Sequence, residues 1–358
     1  MIGNMNIVVV LSSLVFGGAE RVSILLTKWL CSRVDVNAYM VALKGNKGLG
    51  YSSEGLKYIE IEKGNIFYQL RKTIKTIRPD VVVLLSVPLC IYVVPALMGL
   101  HIKLIVSERN APAHFSGKWI TKVASRLLMR RADGFVFQTE EAKNYYGGNI
   151  SKKAAVIHNP LSNIPELSDS QREDTLYHII NVGRLDRQKN QVLLIESFAE
   201  VVKEYPVCRL KIIGSGREME RLDAIIRHLN LQNVVSLLGG STHVFEELQK
   251  ADLFILSSDF EGMPNALMEA MAMGLPCIST NCPCGGPAEL IENGKNGVLV
   301  PVGDKQALIM AIKDIIQDQK KAKSMANEAL KIRQTHSMDI IGPQWLNYIK
   351  KVVHYDTV

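Results

Sequence analysis

Two glutamates in one segment are the side chains of this sequence with the clearest chemical potential. Glu261 and Glu269 lie eight residues apart, and the residues that follow Pro264 are nearly all apolar. Pro264 is typical of a first helical turn and Gly274 of a helix end, so the spacing predicts a buried helix between them. A buried carboxylate such as Glu269 needs a polar partner, and a helix N-terminus attracts an anion. The segment therefore predicts a site for a ligand with hydroxyl groups on either side of a diphosphate, which is the shape of a nucleotide sugar.

Two cations follow an apolar strand earlier in the second half of the chain. The run His178–Val182 predicts the strand, and Arg184 and Lys189 lie just past its carboxyl end. Fixed cations at that place would neutralise a diphosphate leaving group. Ordinary surface charge is the alternative interpretation.

Paired glycines, Gly17 and Gly18, separate the first predicted strand, Asn6–Leu11, from a helix. Glycines at such a junction allow a phosphate to approach the backbone at the positive end of the helix. The spacing is neither that of a dinucleotide fingerprint nor that of a P-loop. A tight turn that binds nothing is the alternative.

The elements that must position these residues alternate between short β-rich runs and helical stretches. Continuous apolar strands separated by helices indicate parallel sheets with both faces covered, wound by right-handed crossovers. We therefore predict an α/β protein of two Rossmann-like domains whose sheets face each other across a cleft, residues 1–165 and 166–338. The predicted strands are Asn6–Leu11, Asn37–Leu43, Asp80–Leu85, Lys103–Val106, Asp133–Gln138, Ala154–Ile157, His178–Val182, Arg209–Ile213, Val234–Leu238, Leu253–Leu256, Cys277–Ser279 and Val298–Val300.

Composition excludes several other classes of protein. The 358 residues are 47% hydrophobic and 22% charged, which is ordinary for a globular chain and excludes disordered, collagen-like and coiled-coil proteins. Six cysteines are too few for a disulfide scaffold, and no signal peptide is evident, so a cytoplasmic location is expected. The uncharged stretch Val81–Leu100 is long enough to span a bilayer, but Pro88 and Pro95 favour a buried strand and helix instead.

Positive charge is concentrated in the first half. Residues 1–165 hold 21 Lys and Arg against 10 Asp and Glu, whereas the remainder holds 21 against 25. Lys118, Lys122, Arg126 and Arg130 recur every fourth residue beside apolar side chains, which predicts a basic amphipathic helix. Such a helix binds an anionic membrane surface. An ordinary helix packed by the same apolar residues is the alternative.

The sequence resembles glycosyltransferase family 4, the retaining enzymes of the GT-B fold, over essentially the whole chain. The matching segments are Gly17–Arg21, Gly183-Arg184 with Lys189, and Glu261–Ala270. The subgroup it resembles assembles bacterial surface polysaccharides on a lipid diphosphate. Ser107–Asn110 and Asn281–Pro287 are also typical of that subgroup.

The resemblance implies a role for each matching residue. Catalysis is assigned to Glu261, which holds the transferred sugar, and to Arg184 and Lys189, which bind the donor phosphates. Many relatives have a histidine after the fourth strand of the first domain, where this chain has Glu108, Arg109 and Asn110 on the acceptor side. The last helix, in 339–358, is implied to pack back on the first domain. The remaining donor-binding residues are Gly17, Gly18, Gly262, Met263, Pro264, Asn265, Ala266 and Glu269.

The resemblance thus implies a retaining glycosyltransferase that moves a hexose or N-acetylhexosamine from a UDP-sugar to a lipid-diphosphate-linked glycan and forms an α-glycosidic bond. Its expected partners are the nucleotide sugar, that glycan and the inner face of the cell membrane. No cofactor and no metal are expected, since fixed cations replace the ion, and Cys282 and Cys284 are expected to be free thiols.

Other classes of protein remain as alternatives. A nucleotide-sugar epimerase or a phosphorylase of the same fold would also have two Rossmann-like halves, and a membrane adaptor without enzymatic activity would explain the basic helix. Nucleic-acid binding is not expected because the basic residues lack interleaved aromatic side chains. NAD binding is not expected either, because Gly214-Ser215-Gly216 is followed by Met219 where a third glycine would stand.

Overall fold

The structure is a computed structural model that describes residues 4–14, 17–45, 51–61, 64–114, 119–162, 164–167, 176–241 and 243–354. The chain divides into two compact units, each with its own core. The first unit comprises the chain up to Pro160 together with the segment from His336 onward, and the second comprises Leu161–Thr335. The boundary predicted from sequence was at residue 165, with a return at residue 339.

The first unit contains a parallel sheet in the order β3-β2-β1-β4-β5-β6-β7. Its central strands consist of Val, Ile and Leu that are buried on both faces, because helices cover both sides. The strands of this sheet are β1 (Met5–Leu11), β2 (Val36–Ala42), β3 (Tyr58–Glu60), β4 (Val81–Leu84), β5 (Lys103–Ser107), β6 (Gly134–Phe137) and β7 (Ala154–Val156).

Six helices of the described residues accompany these strands before the chain enters the second unit. Two of them have side-chain caps: Asn65 accepts from the backbone N–H of Tyr68, and Thr139 from that of Ala142. The helices are α1 (Gly18–Cys31), α2 (Ile66–Ile77), α3 (Cys90–Leu97), α4 (Trp119–Met129), α5 (Glu140–Tyr146) and α6 (Gly148–Lys152).

The second unit contains a parallel sheet in the order β10-β9-β8-β11-β12-β13. Its strands are β8 (Tyr177–Val182), β9 (Cys208–Ile213), β10 (Val235–Leu237), β11 (Leu253–Leu256), β12 (Cys277–Thr280) and β13 (Val298–Val300). Its helices are α7 (Gln191–Glu204), α8 (Met219–His228), α9 (Val244–Gln249), α10 (Asn265–Ala272), α11 (Gly286–Leu290), α12 (Lys305–Gln317), α13 (Gln319–Ala329) and α14 (Ile332–Thr335).

The last helix, α15 (Met338–His354), returns to the first unit and packs on α1. Trp345 is fully buried there. Gly342 permits the contact, since a Cβ at that position would lie 2.5 Å from the ring of Trp29. The hydroxyl of Tyr348 accepts from the backbone N–H of Phe135 at 2.8 Å, which ties α15 to β6.

The predicted strands are present, and their ends agree with the prediction to within one residue. The structure adds β3, which the sequence did not indicate, because this edge strand has three half-exposed or exposed residues and no apolar run. The stretch Val81–Leu100 folds as β4, a short 3₁₀ turn and α3. Among the residues described, no helix has both the length and the apolar character needed to cross a bilayer.

Candidate active site

The candidate site of the second unit lies where the strand order of its sheet reverses, between β8 and β11. Ligands of open α/β sheets bind outside the carboxyl ends of the strands at such a point. Buried Asn181 links the two strands by donating from Nδ2 to the carbonyl of Ile255 at 2.8 Å. The loops that follow β8 and β11 carry all three residues predicted to be catalytic, Arg184, Lys189 and Glu261.

An ion pair joins these two loops. Lys189 Nζ lies 2.5 Å from Glu261 Oε1, and their side chains are only 14% and 7% exposed. Coulomb attraction is strong when water is excluded to this degree. The sequence placed both residues at this site, and the structure adds that they contact each other directly.

Two further side chains hold the Glu261 carboxylate. Ser258 Oγ donates to Oε1 at 2.6 Å, and Gln188 Nε2 donates to the carbonyl of Phe260 at 2.9 Å and lies 3.4 Å from Oε2. The carboxylate therefore has donors on both oxygens and cannot rotate freely. Sequence reasoning missed Ser258 and Gln188, although each lies within three residues of a predicted catalytic residue.

The backbones of the two loops are also joined. The N–H of Asp259 donates to the carbonyl of Gln188 at 2.8 Å, and Asn190 Nδ2 donates to Asp259 Oδ1 at 2.7 Å. Ser257 Oγ donates to the carbonyl of Lys189 at 2.9 Å. These bonds fix the ion pair from both sides, so its geometry is set before any ligand arrives.

Close backbone contacts explain two glycines near the pair. A Cβ on Gly286, the first residue of α11, would lie 1.6 Å from the carbonyl oxygen of Gly262. A Cβ on Gly214 would lie 1.8 Å from the carbonyl oxygen of Gly183. Both close approaches exclude any larger residue without a shift of the loops that carry Lys189 and Glu261.

Helix α10 begins at Asn265, directly after the loop that carries Glu261. The sequence predicted Pro264 within the first helical turn, whereas in the structure it is the residue before the helix. The helix ends at Ala272, and Gly274 has a φ of 70°, which fits its predicted role at the helix end. Glu269 is buried in the helix, as predicted.

The other predicted donor-binding residues of this segment are close to Glu261 in the chain. Gly262, Met263 and Pro264 are buried, and Asn265 and Ala266 are half-buried at the start of α10. The N–H of Glu261 donates to the carbonyl of Pro283 at 2.9 Å, which joins this loop to the segment after β12.

The thiol of Cys282 lies near the ion pair. Burial and the negative charge of Glu261 raise the pKa of this thiol to about 12. Cys282 and Cys284 are both buried, and both are thiols and not halves of a disulfide, as predicted. An uncharged thiol beside the carboxylate acts as packing and not as a nucleophile.

Arg184 occupies a different environment from Lys189. Its side chain is 65% exposed, and Nη2 lies 3.3 Å from Asp186 Oδ2. A cavity of about 460 Å3 borders the same loop and is lined in part by Asp186, Asn190, Glu218 and Asp259. Of the two predicted phosphate-binding cations, Lys189 is therefore fixed and largely shielded from water, and Arg184 reaches solvent.

Gly17 and Gly18 lie in the first unit at the corresponding reversal of strand order, between β1 and β4. Gly17 precedes α1 in an extended conformation, and its carbonyl accepts from the hydroxyl of Tyr51 at 3.4 Å. Ser12 Oγ donates to Glu20 Oε1 at 3.3 Å. The paired glycines thus form the junction of strand and helix that the sequence predicted.

Glu108 follows β5 and is half-buried. Its Oε2 accepts from the hydroxyl of Tyr146 at 3.2 Å. Burial raises the pKa of Glu108 to about 7, while that hydrogen bond, the N–H groups of Asn110 and Arg109 and the charge of Arg126 lower it. Glu108 is therefore a carboxyl group that changes charge near neutral pH.

Arg109 points into a polar network at the carboxyl ends of β5, β6 and β7. Its guanidinium donates to Asn159 Oδ1 and, at 3.3 Å, to Ser107 Oγ. Gln138 Nε2 donates to the same Asn159 oxygen at 2.7 Å. Burial lowers the pKa of Arg109 to about 9. Sequence analysis identified Arg109 but not Gln138 or Asn159.

The predicted basic helix needs a correction. Lys118 lies outside the described residues, and Arg130 follows the end of α4. Lys122 and Arg126 are half-buried: Lys122 Nζ donates to the carbonyl of Ala113 at 3.2 Å, and Arg126 Nη2 to that of Pro112 at 2.5 Å. The described cations therefore do not form one exposed stripe.

The exposed face of α4 is apolar instead. Trp119 is 72% exposed, Ile120 63%, Val123 45% and Leu127 57%. These four side chains are exposed and do not pack in the core of the unit.

Comparison with known proteins supports the assignment of family. Residues 163–332 match the family model of "Glycosyl transferases group 1". A Streptomyces coelicolor protein named exopolysaccharide phosphotransferase is 30% identical over 294 residues, which are 80% of this chain and 30% of that protein. The chain therefore spans less than a third of that relative.

A second relative matches over nearly its full length. It is an alpha-1,4-N-acetyl-D-galactosaminyltransferase of Campylobacter jejuni whose name includes a PP-undecaprenol-linked glycan, and it is 25% identical over 97% of this chain and 99% of its own. Among solved structures, Anabaena HepE in complex with UDP is similar with a TM-score of 0.84, at 21% identity over 97% of this chain and 100% of that one. The second unit of this chain thus matches the group 1 glycosyltransferases, and the chain as a whole has the GT-B fold of these solved structures.

Proposed function

We propose that this chain transfers a hexose or N-acetylhexosamine from a UDP-sugar to a lipid-diphosphate-linked glycan during polysaccharide synthesis. The second unit takes the donor and the first unit takes the acceptor. The Lys189–Glu261 ion pair carries the proposal, because it places a fixed cation and a fixed hydroxyl acceptor at the reversal of strand order.

Each group has a defined task in this proposal. The bond between the anomeric carbon and the donor phosphate oxygen breaks, and the ammonium of Lys189 and the guanidinium of Arg184 neutralise the departing diphosphate. Glu261 accepts hydrogen bonds from hydroxyls of the transferred sugar. Ser258 and Gln188 keep that carboxylate in place when Lys189 turns toward the phosphates, since both donate independently of the lysine.

The product retains the donor's configuration in this proposal. The acceptor oxygen bonds to the anomeric carbon on the face that the diphosphate leaves, and its hydroxyl proton passes to the departing phosphate oxygen, which gives an α-linkage from an α-linked donor. Buried Glu269, near the start of α10, is assigned the ribose hydroxyls. The family resemblance, the UDP complex of Anabaena HepE and the PP-undecaprenol-linked glycan named for the Campylobacter relative support the substrate classes.

We expect a UDP-sugar to raise the melting temperature of the chain. We also expect the release of UDP to require the acceptor and to continue in the presence of EDTA. The reason is that Lys189 and Arg184 supply the positive charge that a metal ion supplies in other transferases. Thermal shift against a panel of nucleotide sugars selects the donor, and UDP release with and without acceptor measures transfer. Release without acceptor, together with a changed sugar, would indicate the epimerase instead. Strict dependence on added Mg²⁺ or Mn²⁺ would contradict the role of the two cations.

The proposed acceptor resides in a membrane, and we place the chain at its inner face through α4. Trp119 and Ile120 are exposed at the start of the helix, and the exposed cations Arg130 and Arg131 follow its end. Apolar side chains beside basic ones are the pattern that binds a bilayer interface of anionic lipids.

We expect this chain to sediment with anionic vesicles and not with neutral ones, and expect Trp119→Ser with Ile120→Ser to lower the bound fraction at least tenfold. Each apolar side chain that enters the bilayer contributes on the order of 1.5 kcal/mol. Val34→Ser is the matched control, because Val34 is 95% exposed elsewhere in the same unit. Equal loss in the control, or equal binding to both kinds of vesicle, would show that α4 is not the membrane surface.

A further inference from the structure

Two cations of α4 contact the protein itself. Lys122 and Arg126 reach the loop that runs from Glu108 to His114, whereas Arg130 and Arg131 are exposed. We infer that Arg126, assisted by Lys122, is a positioning residue for the loop that carries Glu108 and is not a contact of the membrane. This inference rests on the proposed function for the part that concerns transfer.

Arg126 contacts two elements at once. Its Nη2 donates to the carbonyl of Pro112 at 2.5 Å and lies 3.2 Å from the hydroxyl of Tyr145, and its guanidinium lies 5.4 Å from the ring centroid of Tyr145. Lys122 Nζ donates to the carbonyl of Ala113, the next residue of the loop. These two side chains thus join consecutive carbonyls of the loop to α4 by hydrogen bonds. Arg126 also contacts α5 through Tyr145.

Glu108 lies at the other end of this network. Tyr146, which donates to Glu108, stacks on Phe137 with ring centroids 5.1 Å apart and meets Tyr145 edge to face at 5.4 Å. The ring of Tyr145 that binds Arg126 therefore adjoins the ring whose hydroxyl binds Glu108. A substitution of Arg126 therefore affects Glu108 in two ways. It alters the packing of these rings, and it removes a positive charge near the carboxylate.

The charge of Glu108 depends on few groups. Those that face it are Tyr146 on α5, Arg126 on α4, Cys90 on α3 and Arg109 in its own loop. Arg126 favours the charged carboxylate, and burial opposes it. Removal of the Arg126 charge therefore raises the pKa of Glu108 above its value of about 7.

Binding of lipid phosphates by Arg126 would break these internal contacts. Its guanidinium would lose a short hydrogen bond to Pro112 and its position on the Tyr145 ring. The exposed Arg130 and Arg131 have no such bonds to break among those that the structure describes. The basic residues of this region therefore divide into two sets, one for the loop and one for the surface.

The test separates these two sets with three variants. Arg126→Gln removes the loop contact, Arg130→Gln with Arg131→Gln removes the exposed charges, and Lys152→Gln is the control for loss of one exposed cation in the same unit. Each variant is measured for sedimentation with anionic vesicles and for the pH dependence of kcat/KM with a short-chain acceptor in the absence of vesicles. Melting temperatures confirm that the variants fold.

We expect Arg126→Gln to bind vesicles within twofold of the unmodified chain and to shift the acidic limb of kcat/KM upward. The charge of Arg126 is the smallest of the influences on the Glu108 carboxyl, so this limb should move by less than one pH unit and the rate at pH 7 should fall by less than about fivefold. Arg126→Lys, which keeps the positive charge, should return the acidic limb of the kcat/KM pH profile toward its original position. In the Arg130 and Arg131 double variant, the fraction bound to anionic vesicles should fall at least threefold. The acidic limb of the kcat/KM pH profile should not move.

An NMR titration of the Glu108 side-chain carboxyl carbon in labelled protein, assigned with Glu108→Gln, provides a readout without activity. If neither the unmodified chain nor any variant transfers sugar, the proposed function fails. The titration still tests the effect of Arg126 on the pKa of Glu108. An unchanged Glu108 pKa in Arg126→Gln, or a loss of vesicle binding as large as that of the double variant, would overturn the inference.

Discussion

Replacement of Lys189 by alanine is expected to lower kcat for sugar transfer by a factor on the order of 10²–10³, comparable to removal of one donor from an oxyanion hole. Lys189 Nζ is the shielded cation of the proposed donor site and contacts Glu261 at 2.5 Å. Without it, the solvent-exposed Arg184 remains of the two cations assigned to the departing diphosphate. Glu261→Ala is expected to reduce transfer to a similar degree, because the sugar hydroxyls lose their fixed acceptor.

Folding must be checked in these variants. Removal of one partner of a buried ion pair costs about 3–5 kcal/mol, because the other charge remains buried. Ser258 and Gln188 still donate to Glu261 in Lys189→Ala, so we expect a smaller cost and a folded chain. Lys189→Gln and Glu261→Gln keep the volume of each side chain and give a second test of the same roles.

The matched control for Lys189 is Lys203→Ala in the same unit. The Lys203 side chain, near the end of α7, is 67% exposed and lies 2.7 Å from Glu200. Its loss should leave the donor site unchanged. UDP release with acceptor measures all variants, and near-normal turnover in both Lys189→Ala and Glu261→Ala would refute the assignment of the site.

The strands and the charged residues of the site could be predicted from the sequence because each follows from local composition. Fully buried parallel strands are continuous apolar runs, and Lys189 and Glu261 lie in the loops that follow two such runs. The direct contact between them could not be predicted, since it depends on β8 and β11 being neighbours in the sheet. Strand order is decided by packing over long distances in the chain.

The roles of Ser258 and Arg126 show why other contacts of the candidate sites could not be predicted from the sequence. Ser258 is one of many polar residues near strand ends, and only its distance of 2.6 Å from Glu261 distinguishes it. A spacing of four residues correctly placed Lys122 and Arg126 on one side of a helix. It did not indicate which side faces solvent, because the carbonyls of Pro112 and Ala113, which bind these cations, belong to an irregular loop.

Gly286→Ala is expected to slow transfer at least 10²-fold by displacing the loop that carries Glu261. A Cβ at this position would lie 1.6 Å from the carbonyl oxygen of Gly262 and 3.1 Å from Cα of Met263. Both are backbone atoms, so no flexible side chain can move aside, and α11 and the loop must separate. A shift of about 1 Å in a catalytic group costs on the order of 10²-fold in rate, and overpacking of this kind costs about 1–3 kcal/mol of stability.

The control is Gly240→Ala, since a Cβ there meets Ser215 at ordinary distances of 3.6 and 3.8 Å. We expect a melting temperature several degrees lower and UDP release at least 10²-fold slower in Gly286→Ala, and neither change in Gly240→Ala. Because Gly286 itself contributes no side chain to the donor, its effect must act through the position of Gly262 and Glu261. Thermal shift with the UDP-sugar tests this directly: a Gly286→Ala variant that folds, binds the donor normally and turns over normally would show that the contact between α11 and this loop does not set the geometry of the site.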